Sequence, residues 1–279
     1  MHAQPLTDVT PEIRATLDAV DGSFAVAGRP LADTSQTVLL NAHESGHAAS
    51  TMKVPIMVEL YRQAHEGRFA LDDSIRVKND FRSIVDGSPY SLDPADDSHT
   101  ALYDQLGERR PIRALMRDMI TASSNLATNI LIEHVGAESV TRTMERYGAD
   151  GLQVRRGVED MKAYRQGLNN TTTAHALMVL FERIARGEAV SEEASAEMVE
   201  ILRAQEYNDM IPARLPDDVS VAHKTGWITG VRHDAGIVSV PDGPTYVLVL
   251  LSWDLEDPEA GVEALAQVSR IVYDAVRGE

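Results

Sequence analysis

Ser50 and Lys53 stand three residues apart in Ser50-Thr51-Met52-Lys53, a Ser-x-x-Lys spacing that puts a hydroxyl and an amine on one side of a helical turn. Val54, Ile56, Met57, Leu60 and Tyr61 follow at helical intervals, so the pair sits at the mouth of a buried helix running to about Glu66 and ended by Gly67. A serine hydroxyl becomes a useful nucleophile when a neighbouring base takes its proton. A helix N-terminus adds backbone N–H groups aimed at whatever binds there.

Two further clusters supply partners for such a pair. Ser123-Ser124-Asn125 falls at a junction between two helical segments, and Lys224-Thr225-Gly226 ends a predicted strand. The chemistry needs each residue type. Ser50 attacks an acyl carbon, and an uncharged Lys53 amine accepts its proton. A second ammonium, Lys224, lowers the proton affinity of Lys53 by like-charge repulsion. Ser123 can pass the proton to the leaving nitrogen, and Asn125 can donate to a substrate amide oxygen. Lys224 and Thr225 offer charge and a hydroxyl to a substrate carboxylate. The N–H groups of Ser50 and of Trp227, the residue after Gly226, form a candidate oxyanion hole.

In that order and at those separations, Ser50-x-x-Lys53, Ser123-x-Asn125 and Lys224-Thr225-Gly226 resemble the serine β-lactamase and penicillin-binding-protein superfamily. The resemblance runs over most of the chain, and length and layout are nearest to class A β-lactamases. It implies a serine hydrolase that opens a β-lactam ring through an acyl-enzyme on Ser50. It implies no cofactor and no metal, and a small-molecule β-lactam or other acyl substrate. Two departures stand out. Ser124 occupies the middle of the second motif, where class A enzymes usually carry Asp. Before Thr171-Thr172-Thr173, where those enzymes carry a Glu that activates the deacylating water and an Asn four residues later, the chain reads Arg155-Arg156-Gly157-Val158-Glu159-Asp160-Met161-Lys162-Ala163. Glu159 is the candidate base, Asp160 the next, and no Asn follows at that interval. Without a base the chain would be a penicillin-binding relative, or an esterase, amidase or peptidase with poor β-lactam turnover. A sensor that stays acylated is a non-enzymatic alternative.

The elements that must position these groups are legible in outline. Thr10 and Pro11 open a helix carrying Ile13, Leu17 and Val20. Ser23–Ala27 and Thr37–Asn41 read as a hairpin with Gly28-Arg29-Pro30 in its turn. Leu71 to Arg110 is loop-rich and acidic, with Asp93-Pro94-Ala95-Asp96-Asp97 its clearest irregular piece. Pro111–Ile120, Leu126–His134, Glu138–Tyr147, Thr173–Arg186 (capped by Thr171 or Thr172) and Glu192–Ala204 read as helices. Val219–His223, Gly236–Val240 and Tyr246–Trp253 read as strands, and an amphipathic helix begins at Pro258. The fold class predicted is α+β: an antiparallel sheet flanked by N- and C-terminal helices, plus an all-helical lobe. It is divided as one two-lobed catalytic domain over 1–279, with an α/β lobe from about 1–45 and 205–279 and a helical lobe from about 46–204.

Composition bounds the partners. A net charge of −17 over 279 residues argues against a phosphate backbone or an anionic membrane as ligand, and suits a monomer that repels its copies. No cysteine is present, so disulfide and thiolate chemistry are excluded. Met1–Val20 shows no signal peptide, which predicts a cytoplasmic protein, or a secreted or periplasmic one if a leader has been removed.

One rival comes from a different mechanism. His43-Glu44-Ser45-Gly46-His47 matches the His-Glu-x-x-His pattern of zinc metalloproteases, with Glu66 as a third ligand. That pattern works on a helix, whereas here it follows a strand and contains Gly46. His233-Asp234 suggests a triad arm. Adjacent strand residues point to opposite faces, so a turn or strand-edge role is expected.

Overall fold

The computed structural model describes residues 6–278; Met1–Pro5, part of the stretch read for a leader, and Glu279 lie outside the described residues. A 3-10 turn, Leu6–Val9, leads into α1 (Thr10–Leu17), then β1 (Ser23–Pro30), β2 (Val38–Leu40) and β3 (Gly46–His47). The 3-10 turn Ala49–Met52 runs directly into α2 (Lys53–His65). The short strands β4 (Ser74–Arg76), β5 (Phe81–Arg82), β6 (Pro89–Tyr90) and β7 (Arg109–Pro111) follow, with two 3-10 turns among them, Pro94–Asp96 and Thr100–Gln105. Next come α3 (Ile112–Thr121), α4 (Asn125–Val135), α5 (Ala137–Arg146), α6 (Met161–Arg165), β8 (Thr171–Thr172), α7 (Ala174–Ala185) and α8 (Glu192–Arg203). The chain closes with β9 (Ser220–Ile228), β10 (Val231–Ser239), β11 (Thr245–Trp253) and α9 (Pro258–Arg277).

The main sheet is antiparallel, in the order β2-β1-β11-β10-β9. Its central strand, β11, is a nearly unbroken apolar run buried from Tyr246 to Ser252. Strand side chains alternate between faces. Tyr246, Leu248 and Leu250 therefore enter a core with Ile13 and Leu17 of α1 and Leu265, Val268 and Val272 of α9. Val247, Val249 and Leu251 enter a second, larger core with α2, α3, α4 and α7. Helix α2 lies within that core: Val54, Ile56, Met57, Val58 and Leu60 are all fully buried. This is the α+β arrangement expected, with the terminal helices on one face of the sheet. Among the described residues, no helix is long and apolar enough to cross a membrane.

Three local expectations change. Gly28, Arg29 and Pro30 are not turn residues but the end of β1, because β11 is long enough to pair with them through Leu248, Val247 and Tyr246. Helix α7 is capped by Thr173, whose hydroxyl accepts from Ala176 N–H, rather than by Thr171 or Thr172, which pair with β3 as strand β8. Finally, β9 and β10 extend beyond the predicted strands, so Lys224-Thr225-Gly226 and His233-Asp234 lie inside the sheet, paired with each other across the ladder.

Helix α7 packs against β1, β10 and β11, and Phe181 on it is fully buried. Phe181→Ala is expected to cost about 3–5 kcal/mol through lost burial and the cavity left behind. Urea unfolding followed by tryptophan fluorescence measures this, and a cost below about 1 kcal/mol would show that the helix does not anchor the sheet as described.

Candidate active site

Strand β3 pairs with β8 through Gly46↔Thr172 and His47↔Thr171, and Ala48 N–H donates to Asn170 O at 2.9 Å. These contacts fix where the chain enters the next turn. Ala49 then takes a positive φ of 45°, a left-handed conformation that side chains rarely adopt. The reversal places Ser50 in the 3-10 turn with partial exposure and Lys53 as the first residue of α2.

The Lys53 side chain is fully buried. Its Nζ donates to Ser123 O at 2.6 Å, to Ser123 Oγ at 3.1 Å and to Asn125 Oδ1 at 3.0 Å. Burial holds its pKa well below the ordinary lysine value, repulsion from Lys224 lowers it further, and Asp97 opposes both. Ser123 has a φ of 59°, and it turns its carbonyl and its hydroxyl toward the same amine. Lys53 is thus joined to the second motif by hydrogen bonds and to the third through the charge of Lys224.

Lys224 is also fully buried; its Nζ donates to Thr225 O at 2.9 Å. Burial lowers its pKa to about 7, with Asp234 pulling the other way. A cavity of about 600 Å³ is lined by Ser50, Lys53, Ser123, Asn125, Glu159 and Trp227 among others. Lys224, Thr225 and Gly226 are all buried, and the charge of Lys224 is felt at Lys53.

Gly226 has a steric reason to be glycine. A Cβ there would lie 2.9 Å from Ser50 N and 3.1 Å from Thr51 N. Only a bare backbone brings β9 against the nucleophile turn. Beyond it, β9 turns into β10 through Thr229-Gly230, with Gly230 at φ 69°. In a two-residue hairpin the flanking pair, Ile228↔Val231, exchanges hydrogen bonds, so the next pair, Trp227↔Arg232, does not. The N–H of Trp227 therefore points away from β10 to the open edge, beside Ser50. Arg232 donates to Ile228 O and Val231 O and lies over the Trp227 ring.

The loop before β8 separates two neighbouring carboxylates. Asp160 is buried and structural: it caps α6 at Ala163 N and accepts from Ser83 Oγ at 2.8 Å and Ile84 N at 2.9 Å. It is thereby removed as a candidate base. Glu159, at φ 61°, lines the cavity. Burial raises its pKa, Asp96, Asp97 and Asp93 add to the rise, and a hydrogen bond from the Asp93 backbone opposes it. Val158 beside it is clamped by Asn129, whose Oδ1 accepts from Val158 N at 2.6 Å and whose Nδ2 donates to Val158 O at 2.9 Å.

Asp97 belongs to the stretch that reads as irregular loop, yet it is part of the site. Its carboxylate accepts from Asn125 N at 3.0 Å, Leu126 N at 2.8 Å and Tyr103 OH at 3.0 Å. It fixes the N-terminus of α4 next to Lys53, while Ser124 caps the same helix at Ala127 N. The sequence signal available is a carboxylate cluster preceding Ser123-Ser124-Asn125, a motif without a carboxylate of its own.

The zinc alternative fails on geometry. His43 and Glu44 sit in a turn and His47 in β3, so the two histidines do not share a helix face. His47 Nδ1 is taken by Ala49 N–H, and Glu66 pairs with Arg62 and Arg68. Among the described residues, no three His, Cys, Asp or Glu side chains gather as a metal site. A buried His–Asp pair does exist, but it joins His223 Nδ1 to Asp234 Oδ1 at 2.8 Å across β9 and β10. The other nitrogen of His223 faces Asn208 Oδ1 at 3.1 Å and not Ser50. His233 lies inside β10, not at a turn, and its Nε2 meets His47 O at 2.9 Å.

A serine at a strained turn, a buried low-pKa lysine and an edge-strand N–H define a serine acyl-transfer site on an α+β scaffold. The chain belongs to the β-lactamase enzyme family, whose model matches residues 8–276. It is 22% identical to a β-lactamase of Bacteroides uniformis over 99% of this chain and 94% of that protein. It superposes on the structure of PBP-A with a TM-score of 0.84 at 27% identity, covering 99% of this chain and 98% of the other. A point variant of PBP-A, solved as an acyl-enzyme complex with penicillin G, is 28% identical with a TM-score of 0.84, covering 99% of each chain.

Gly226→Ala tests the close approach of β9. The added methyl must push the strand from Ser50 N, so acylation by penicillin G is expected to slow about 10- to 100-fold through misplacement of the oxyanion donors. Stopped-flow acylation, with the melting temperature as control, reads this; an unchanged rate would show that the contact has slack.

Proposed function

We propose that the protein is a serine hydrolase that opens β-lactam rings through an acyl-enzyme on Ser50. The observation that carries this is the buried Lys53 amine, hydrogen-bonded to Ser123 and Asn125 at the floor of the cavity that holds Ser50. Ser50 Oγ attacks the lactam carbonyl carbon, and its proton passes to neutral Lys53, directly or through Ser123. The N–H groups of Ser50 and Trp227 receive the developing oxyanion. The C–N bond breaks, Ser123 delivers a proton to the leaving nitrogen, and water then hydrolyses the ester. Asn125, on the cavity wall, meets the acyl side chain, and Lys224 supplies the positive potential that attracts a substrate carboxylate.

The second reading is a long-lived acyl-enzyme. It is favoured by Glu159, whose carboxyl is engaged by the Asp93 backbone and surrounded by Asp93, Asp96 and Asp97. The penicillin G adduct of the PBP-A variant is consistent with such behaviour in a relative of this fold.

Intact mass after mixing with benzylpenicillin, alongside turnover of a chromogenic cephalosporin, separates the readings. Rapid turnover without a lasting adduct is expected of a hydrolase, whereas a stable adduct supports the second reading. Ser50→Ala is expected to abolish acylation, and full activity in that variant would sink the scheme. Glu159→Gln is expected to slow deacylation about 100-fold or more if this carboxylate is the general base. A change under about 3-fold assigns water activation elsewhere.

The two lysines set the pH dependence. Lys53 works unprotonated, so kcat/KM rises with pH through its lowered pKa. Lys224 works protonated, so kcat/KM falls as pH passes its value of about 7. Lys224→Arg, which stays charged, is expected to remove that descending limb. A limb that stays near pH 7 in this variant would belong to another group.

A further inference from the structure

His47 reaches the site in a way that the three motifs do not describe. Its backbone is held from the sheet: the carbonyl faces His233 Nε2 at 2.9 Å and accepts from Trp253 Nε1 at 3.2 Å, and the residue pairs with Thr171 across β3 and β8. Its ring then folds over the next turn, and Nδ1 accepts the Ala49 N–H at 3.0 Å. Ala49 is the residue whose left-handed backbone reverses the chain into Ser50. The ring also lines the cavity, edge-on to Tyr164 at 6.3 Å, with Arg156 from the same loop close enough to repel a proton.

We propose that His47 is a positioning residue for the nucleophile: as a neutral imidazole it accepts the Ala49 N–H and holds the left-handed turn that presents Ser50 to the cavity. The proposal rests on Ser50 being the acylated residue. A neutral ring accepting at Nδ1 carries its proton at Nε2. Burial, with Arg156 adding to it, lowers the pKa of His47 to about 4, so the neutral ring prevails at neutral pH, and the Ala49 N–H selects the tautomer that accepts at Nδ1. The tautomer is therefore a consequence of the turn, and a ring protonated at Nδ1 would confront the Ala49 N–H with a second donor.

Side-chain length supplies the test. In His47→Asn the new carboxamide oxygen sits where Nδ1 sits, whereas in His47→Gln it lies one bond further out. His47→Ala is expected to slow single-turnover acylation by benzylpenicillin about 10- to 100-fold, with the dissociation constant of the initial complex changed less than about 3-fold. His47→Asn is expected to recover the rate to within about 3-fold of wild type, and His47→Gln is not. Melting temperatures identify any variant that is slow through misfolding, and the contrast between the two carboxamides is read between folded variants. Equal rates for His47→Ala and wild type, or for His47→Asn and His47→Gln, would overturn the proposal. Two-bond 1H–15N correlation spectra of the wild-type protein at pH 7 are expected to show His47 as the Nε2–H tautomer. An Nδ1–H tautomer overturns the role of His47 whatever the activity. Wild-type protein that reacts with no β-lactam overturns the function proposed above and leaves the nitrogen assignment standing.

Discussion

The structure depends on what surrounds one amine. Lys53 is fully buried, and an ammonium in that position is costly unless every donor is used. Its three contacts suit both protonation states. Charged, the amine donates to Ser123 O, Ser123 Oγ and Asn125 Oδ1. Neutral, it still donates to the carbonyl and the carboxamide oxygen, which can only accept, while the Ser123 hydroxyl turns to donate to its lone pair. A base must hold its place before and after taking a proton, and here neither state leaves a buried polar group unpaired. In the proposed scheme the same arrangement lets Ser123 carry the proton between the lone pair and a reacting atom in the cavity.

Keeping that amine in place requires elements distant in sequence. Helix α2 is buried on nearly every side because it lies inside the larger core, and this fixes the axis from which Lys53 projects. The left-handed Ser123 that closes on it lies between α3 and α4, and α4 is anchored by Asp97 from an irregular loop. From the opposite side, β9 approaches until the missing side chain of Gly226 becomes the limiting contact. Helices α1 and α9 bury the other face of β11 and so hold the sheet against which the nucleophile turn rests.

The parts legible in the sequence are those with a local signature. Ser50 and Lys53 share a turn, the helices have apolar periodicity, and β11 is a continuous β-branched and aliphatic run. The parts that are not legible depend on contacts between distant segments. The carboxylate cluster around Asp97 is visible in the sequence, but nothing in it singles out Asp97 as the anchor of a helix 28 residues away. Lys224, Thr225 and Gly226 read as the end of a strand, yet β10 pairs past them as far as Ile228. Glu159 and Asp160 are neighbours with the same chemistry, and a single positive φ at Glu159 directs one toward the cavity and leaves the other capping a helix. His43 and His47 carry a metal-binding spacing, but spacing acquires that meaning on a helix, and the chain there is a turn and a strand.

The charges around the cavity act on the two chemical steps together. Asp97 raises the proton affinity of Lys53 and, with Asp93 and Asp96, that of Glu159. In the proposed scheme this negative wall works against both the neutral amine that accepts the Ser50 proton and the carboxylate that activates water. Lys224 opposes that wall at Lys53, where its repulsion is second only to burial. At Glu159 the opposition comes from a hydrogen bond of the Asp93 backbone, set against burial and three acidic neighbours. The net result lowers the proton affinity of Lys53 and raises that of Glu159. In the proposed scheme, with Glu159 as the deacylating base, the balance between a turnover enzyme and a slowly released acyl-enzyme lies in the loop from Arg156 to Asp160, which carries that carboxylate.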